Sequence, residues 1–450
     1  MHGFSLDRTI FVLICFVMIW WPIPLGSNRP WAWSLLQLLI CAGFVLHLIN
    51  VWQLAYRHGK AINGHRIEIV PSHIYPVLAP ILALQAYLGL QLSGLVPQIT
   101  TVDPVQTEVS LYKGLCLAAF VVLLGSYVQR NSRMRHLILA IVFSGLFQAC
   151  YGAFTNLANI EYSLFFNIFE NDRARGSFAY QNFFANYMAL CLSLGFGLLL
   201  SELAIEKGRW SWKDMLATLL TNKFMLRLAL IVMVIGLVLS RSRMGNAAFF
   251  AALAVIALFA VFFYKDPPRM LKPIVISLFV LDMLIIGSIF GLEKLQQRYA
   301  ETSFASEARD NVVVDSLPIL HDYGLTGAGS GSFYTVFPGY QPGYYSGFYD
   351  HAHNDYLQFA IEIGIPMTLL LFGFMLWLFY MCLRVMMVSR DRLHRGIAFG
   401  CAMAMLHMGI HCVVDFNLQS FGIALQFCTI LALASMVYAK RHQVRQLKTM

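Results

Sequence analysis

The chain has 450 residues, of which 58% are hydrophobic and only 12% charged. Soluble domains carry about a quarter charged residues, so the two or three soluble domains that this length would otherwise suggest are excluded. The net charge of +9 does not indicate nucleic acid as a partner. The basic residues sit in short loops between apolar blocks, which is the pattern of a polytopic membrane protein.

Taken in chain order, the apolar blocks predict an all-α fold, a single membrane helix bundle over 1–450 with about twelve spans. They fall near 9–25, 31–52, 75–96, 112–128, 137–157, 183–201, 225–240, 245–264, 273–292, 363–384, 395–414 and 420–438. The first block runs into Trp20, Trp21 and Pro22 with no small-residue cleavage site, so it reads as a retained span and not as a signal peptide. Trp20, Trp21, Trp31 and Trp33 flank the first outer turn as an interfacial aromatic belt. An even number of spans puts both termini on one side. That side holds 23 of the 32 Lys and Arg, so the positive-inside rule makes it cytoplasmic. The outer side keeps Arg29, Lys113, Arg173, Arg175, Arg241, Arg243, Lys294, Arg298 and Arg309. All nine cysteines lie in apolar blocks, where cysteine acts as a small hydrophobe, and no disulfide is expected. The one long connection, 293–362, is rich in Gly, Tyr and Phe and is expected to be a folded outer loop, a lid over a cavity open to lipid.

The residues that break the charge rule mark the chemistry. Arg241 and Arg243 lie in the tight outer turn Ser240-Arg241-Ser242-Arg243-Met244-Gly245. Arginine near hydrocarbon is costly, and its planar fork suits phosphate or carboxylate; the plain alternative is snorkelling to the interface. Where the long loop re-enters the membrane stands Asp350-His351-Ala352-His353-Asn354-Asp355. A histidine there can take a proton from a sugar hydroxyl. Alternate histidines beside aspartates are also a weak metal pattern, and Asn354 or Asp355 can simply cap the next helix. Arg309 precedes an apolar stretch over 312–320. Then comes a glycine-rich turn, 327–333, which lacks the Lys-Ser/Thr of a Walker loop and reads as a loop-shaping turn near a phosphate. The aromatics of 333–349 are sugar-stacking candidates or the loop's own small core. Arg173 and Arg175 open a further outer segment, 173–182, and His411 and Asp415 are spaced to share a helix face as a structural pair.

Together these segments resemble the bacterial O-antigen ligase and polymerase superfamily over about 225–385. The resemblance rests on the Ser-Arg turn opening a helix, Arg309 leading to Leu325-Thr326-Gly327-Ala328-Gly329, and His351-Ala352-His353-Asn354-Asp355-Tyr356 running to Glu362-Ile363-Gly364-Ile365-Pro366. Arg175-Gly176-Ser177-Phe178 and His411 to Asn417 look like flanking motifs; Met244 departs from the small residue that often follows the arginine. The resemblance implies a metal-independent glycosyltransferase with no cofactor, a multi-pass protein of the bacterial inner membrane with a periplasmic active site. The donor would be a glycan on undecaprenyl diphosphate, and the acceptor lipid A core or a second lipid-linked glycan. Arg243 and Arg309 would hold the donor diphosphate and His353 would activate the acceptor hydroxyl. Arg241, His351, Asn354, Arg175 and Arg173 would contribute to substrate binding.

Ligation or polymerisation in lipopolysaccharide or exopolysaccharide biosynthesis is the leading expectation. Protein O-oligosaccharyl transfer is the nearest alternative. A lipid-linked glycan flippase would place its polar groups near the midplane, whereas here they cluster at the outer face. A non-catalytic scaffold would tolerate change at the Arg and His positions.

Overall fold

In hydrocarbon a backbone must satisfy its own polar groups, so each long apolar run closes into a helix. The computed structural model describes residues 6–57, 68–169, 173–203, 222–265, 311–343 and 349–446. Their long helices are α1 (Leu6–Trp20), α2 (Pro30–Arg57), α3 (Tyr75–Ser93), α4 (Pro104–Tyr127), α5 (Asn131–Leu157), α6 (Gln181–Glu202), α7 (Asn222–Leu239), α8 (Arg243–Phe263), α9 (Asp355–Val388), α10 (Arg392–His411) and α11 (Phe421–Gln446). Each coincides with an expected span; the remaining one, 273–292, lies outside the described residues, as does Arg309. Among the described residues, 8 helices are long and apolar enough to cross a membrane. The chain is a multi-pass membrane protein.

The bundle is built around α6, whose apolar stretch is 94% buried. It packs backbone to backbone on α10 through small residues. A Cβ added at Gly197 would lie 2.9 Å from the Gly400 nitrogen, and one at Gly400 2.6 Å from the Ser193 carbonyl oxygen. Gly396 and Gly400 are spaced as membrane helix pairs use them, where close approach replaces the missing hydrophobic drive. The Asn186 Oδ1 of α6 accepts from His407 Nε2 of α10 at 3.0 Å in the same seam.

The two ends of the bundle differ in charge chemistry. At one end Arg133 pairs with Asp7, Arg135 meets Glu202 at 2.7 Å, and Asn131 bridges Asp391 and Lys440. The other end carries the turn at 240–242, the segment 173–180, the loop residues 311–343 and 349–354, and the turn 412–420.

Within the loop, Phe333 and Phe337 stack at 5.2 Å and, with Val312, Ile319, Val336 and Ile361, form a small core. The aromatics Tyr340 and Tyr349 pack against it. This core rests on a break in α9. Gly364 takes φ 79° and ψ 154°, conformation open to glycine alone, and Pro366 offers no N–H. The groups freed by the break are met by the glycine-rich turn: Ile365 donates to Gly324 at 2.8 Å, while Ala328 and Gly329 donate to the carbonyls of Ile361 and Glu362 at 2.8 Å. Two motifs 35 residues apart in sequence are thus one joint.

Candidate active site

The Ser-Arg turn is fixed before either arginine is considered. Ser242 caps α8 by accepting from Gly245, and Asn246 donates to the Ser242 carbonyl at 2.8 Å. Ala174 donates to the Leu239 carbonyl at 3.0 Å, which ties segment 173–182 to the end of α7. Arg241 adopts the left-handed φ of 51°, rare for a residue with a Cβ. Arg243, the first residue of α8, is exposed, and no hydrogen bond or ion pair engages it among the described residues. A guanidinium at a helix N-terminus adds its charge to the positive end of the helix dipole, so this corner favours an anion.

From that turn a chain of contacts runs to the histidines. Ser242 donates to Asn182 at 2.9 Å, and Asn182 donates to the Tyr180 hydroxyl at 2.8 Å. The Tyr180 ring stacks on Phe416 at 5.7 Å, and Phe416 stacks on His351 at 4.3 Å and meets His353 edge-on at 5.0 Å. His353 also takes a left-handed φ, 52°, and its ring lies 6.4 Å from Tyr349. The non-glycine residues with positive φ thus include an arginine and a histidine of the expected site. Such backbone strain persists only where surrounding structure enforces it.

Asn354 acts as the N-cap of α9, accepting from Leu357 at 3.1 Å. Asp355 is fully buried; it accepts from the Leu418 amide at 3.0 Å and from Gln419 at 3.1 Å, and its own amide donates to Cys412 and Asp415. It thereby seats the turn that presents Phe416. Gln358 links His351 at 3.2 Å to Glu362 at 2.9 Å and accepts from the Ala352 amide. Burial pushes the His351 imidazolium below its ordinary range; Asp350 and Gln358 oppose this, and the charge of Lys113 adds to it.

Several expectations take a different form here. Arg175 is buried and donates to the carbonyls of Ile168 and Phe169, holding its own loop, whereas Arg173 is exposed. The glycine-rich turn does not present its amides to a phosphate: Gly329 donates to Glu362's carbonyl, and the amides of Gly331 and Phe333 face its carboxylate. His411 and Asp415 do not share a helix face, because α10 ends at His411; they still approach to 3.6 Å across the turn. Among the described residues no three His, Cys, Asp or Glu gather as a metal site. Sequence reasoning placed Phe416, Tyr180 and Gln358 inside its motif segments but gave none of them a role. Asp355, Gln358 and Glu362 form a polar stripe at helical spacing on an apolar helix, a signal that would have found Gln358.

Residues 228–372 match the family model described as O-antigen ligase. They form an O-antigen ligase family domain. The match supports the resemblance to the O-antigen ligase and polymerase superfamily that the sequence motifs carry over this stretch. The match contains Arg243, Arg309, His351, His353 and Asn354, and leaves Arg173 and Arg175 outside it. No curated protein matches the chain.

Proposed function

We propose that this O-antigen ligase family protein transfers a glycan from undecaprenyl diphosphate to a sugar hydroxyl at the periplasmic face of the bacterial inner membrane. The convergence of the Ser-Arg turn, segment 173–182 and the histidine segment at the bundle end away from Arg133, Arg135 and Lys440 supports this reading most directly. Both termini are then cytoplasmic by the positive-inside rule.

In this mechanism His353 takes the proton of the acceptor hydroxyl as its oxygen attacks the anomeric carbon. The carbon–oxygen bond to the diphosphate breaks, and undecaprenyl diphosphate leaves with the bonding pair. Arg243 and Arg309 stabilise the charge that grows on it, which they do best where water is scarce. The proton passes from His353 to solvent. Arginine takes the electrostatic role, so no metal or cofactor is required in this scheme. His351, Asn354, Arg241, Arg173 and Arg175 bind or position substrate.

The test uses purified protein, an undecaprenyl-diphosphate-linked glycan and two acceptors, lipid A core and a second lipid-linked glycan, with chelator present. Transfer by wild type and its loss in Arg243→Ala, Arg309→Ala and His353→Ala is the expected result, and the acceptor consumed distinguishes ligase from polymerase. Variants that match wild type, or glycan-lipid that crosses the bilayer without transfer, would overturn it in favour of a flippase. Consumption of a protein Ser or Thr in place of sugar acceptors would assign protein O-glycosylation.

A further inference from the structure

Lys113 is an outer-side cation that the roles above leave unused. It lies on α4, about 13 Å along the helix from Pro104 at 1.5 Å per residue, and its ammonium sits over the indole of half-buried Trp33 on α2, 4.8 Å from the ring centroid. No carboxylate pairs with it among the described residues. Several acids at this end are engaged elsewhere: Glu108 by Tyr112, Asp103 by Gln106 and Thr335, Asp355 by Leu418 and Gln419, Glu362 by Gln358, and exposed Asp350 lies 4.0 Å from His351. Ser110, one turn away on α4, donates to the Ser330 carbonyl, which brings this part of α4 up to the glycine-rich turn. The charge of Lys113 reaches His351. A partly buried cation without an anion is costly and is retained for a purpose. α2 and α4 also expose apolar side chains at this level, Leu35, Leu38 and Leu115 among them, as surfaces that face hydrocarbon do.

We propose that Lys113, backed by Trp33, is a further phosphate-binding residue of this protein, contacting the diphosphate of a polyprenyl-linked donor that approaches along α2 and α4. The inference rests on the glycan-transfer reading for its role in catalysis, but not for the binding itself. A flat indole steers the ammonium without neutralising it, so its charge stays available to a phosphate, and a lipid-anchored diphosphate lies at the depth where Trp33 marks the interface.

Full-length protein in phosphatidylcholine nanodiscs would be titrated with farnesyl diphosphate and, separately, enriched in phosphatidylglycerol. Binding of farnesyl diphosphate should weaken on the order of tenfold in Lys113→Gln, as for loss of one charge-assisted contact, and recover in Lys113→Arg. Phosphatidylglycerol should not compete. In the transfer assay, Lys113→Gln should raise the donor KM with acceptor KM and kcat unchanged. Unchanged farnesyl diphosphate binding in a Lys113→Gln protein that melts as wild type, or equal competition by phosphatidylglycerol, would overturn the inference, the latter marking a headgroup anchor. Lys113-dependent binding with no transfer to any acceptor would uphold this site while sinking the glycan-transfer reading.

Discussion

Two glycines in α9 should respond oppositely to the same substitution. Gly364 holds φ 79° and ψ 154°, and a Cβ there would sit 2.5 Å from the Leu325 carbonyl oxygen. Forcing alanine into that region costs about 1–3 kcal/mol, and displacing the packed 324–329 turn costs about 1–3 kcal/mol more. The sum, about 2–6 kcal/mol, falls on the joint that holds the histidine segment. Gly373 has ordinary helical geometry with nothing within 4 Å of its Cβ position, so Gly373→Ala should be neutral or stabilise by up to about 1 kcal/mol. Thermal unfolding of both variants in one detergent at one scan rate checks this. Gly364→Ala should melt lower on the order of 5 °C and lose the activity that depends on His353, while Gly373→Ala should match wild type. Equal melting of the two variants would refute the account of the break.

Asp355→Ala should leave the Leu418 amide and the Gln419 side chain without their acceptor, at about 1–3 kcal/mol for each unsatisfied group; limited proteolysis should then cut within 412–420, where wild type resists. His351 gives a pH dependence with a definite sign. Its folded pKa is depressed by burial below the ordinary value of 6.5, so the unfolded chain binds the proton more readily. Its contribution to stability is full above about pH 6.5 and declines as pH falls from there through the folded value. The drop in melting temperature between pH 7.5 and 5.5 should therefore be smaller in His351→Gln than in wild type, and an equal drop would remove His351 as the cause.

The spans were legible because hydropathy and length are local properties. Their ends were less so. The tenth span was expected from 363, yet α9 begins at Asp355 because Asn354 caps it, a role open to it from its residue type alone. The site was legible as segments and not as contacts. Nothing in the neighbourhood of Gly327 or Gly329 says that their turn serves the break at Gly364, because the partner lies far along the chain and the bond is between backbone groups. Phe416 was given no role of its own for the related reason that an aromatic residue in an apolar protein carries no local mark. Its importance comes from meeting Tyr180, His351 and His353 at once. Arg175 shows a second thing that residue type does not carry: its bonds to the carbonyls of Ile168 and Phe169 in its own loop.

The seam between α6 and α10 bears on how such a protein can change over generations. The matched stretch 228–372 contains neither helix, yet α7 and α8 lie against α6 and α9 lies against α10. Recombination that exchanged this stretch alone would import an arginine and a histidine while leaving Asn182, Tyr180 and Phe416 of the recipient to receive them. Viable exchange must therefore carry 173–182 and 412–419 along, so these flanks are expected to coevolve with the stretch they enclose.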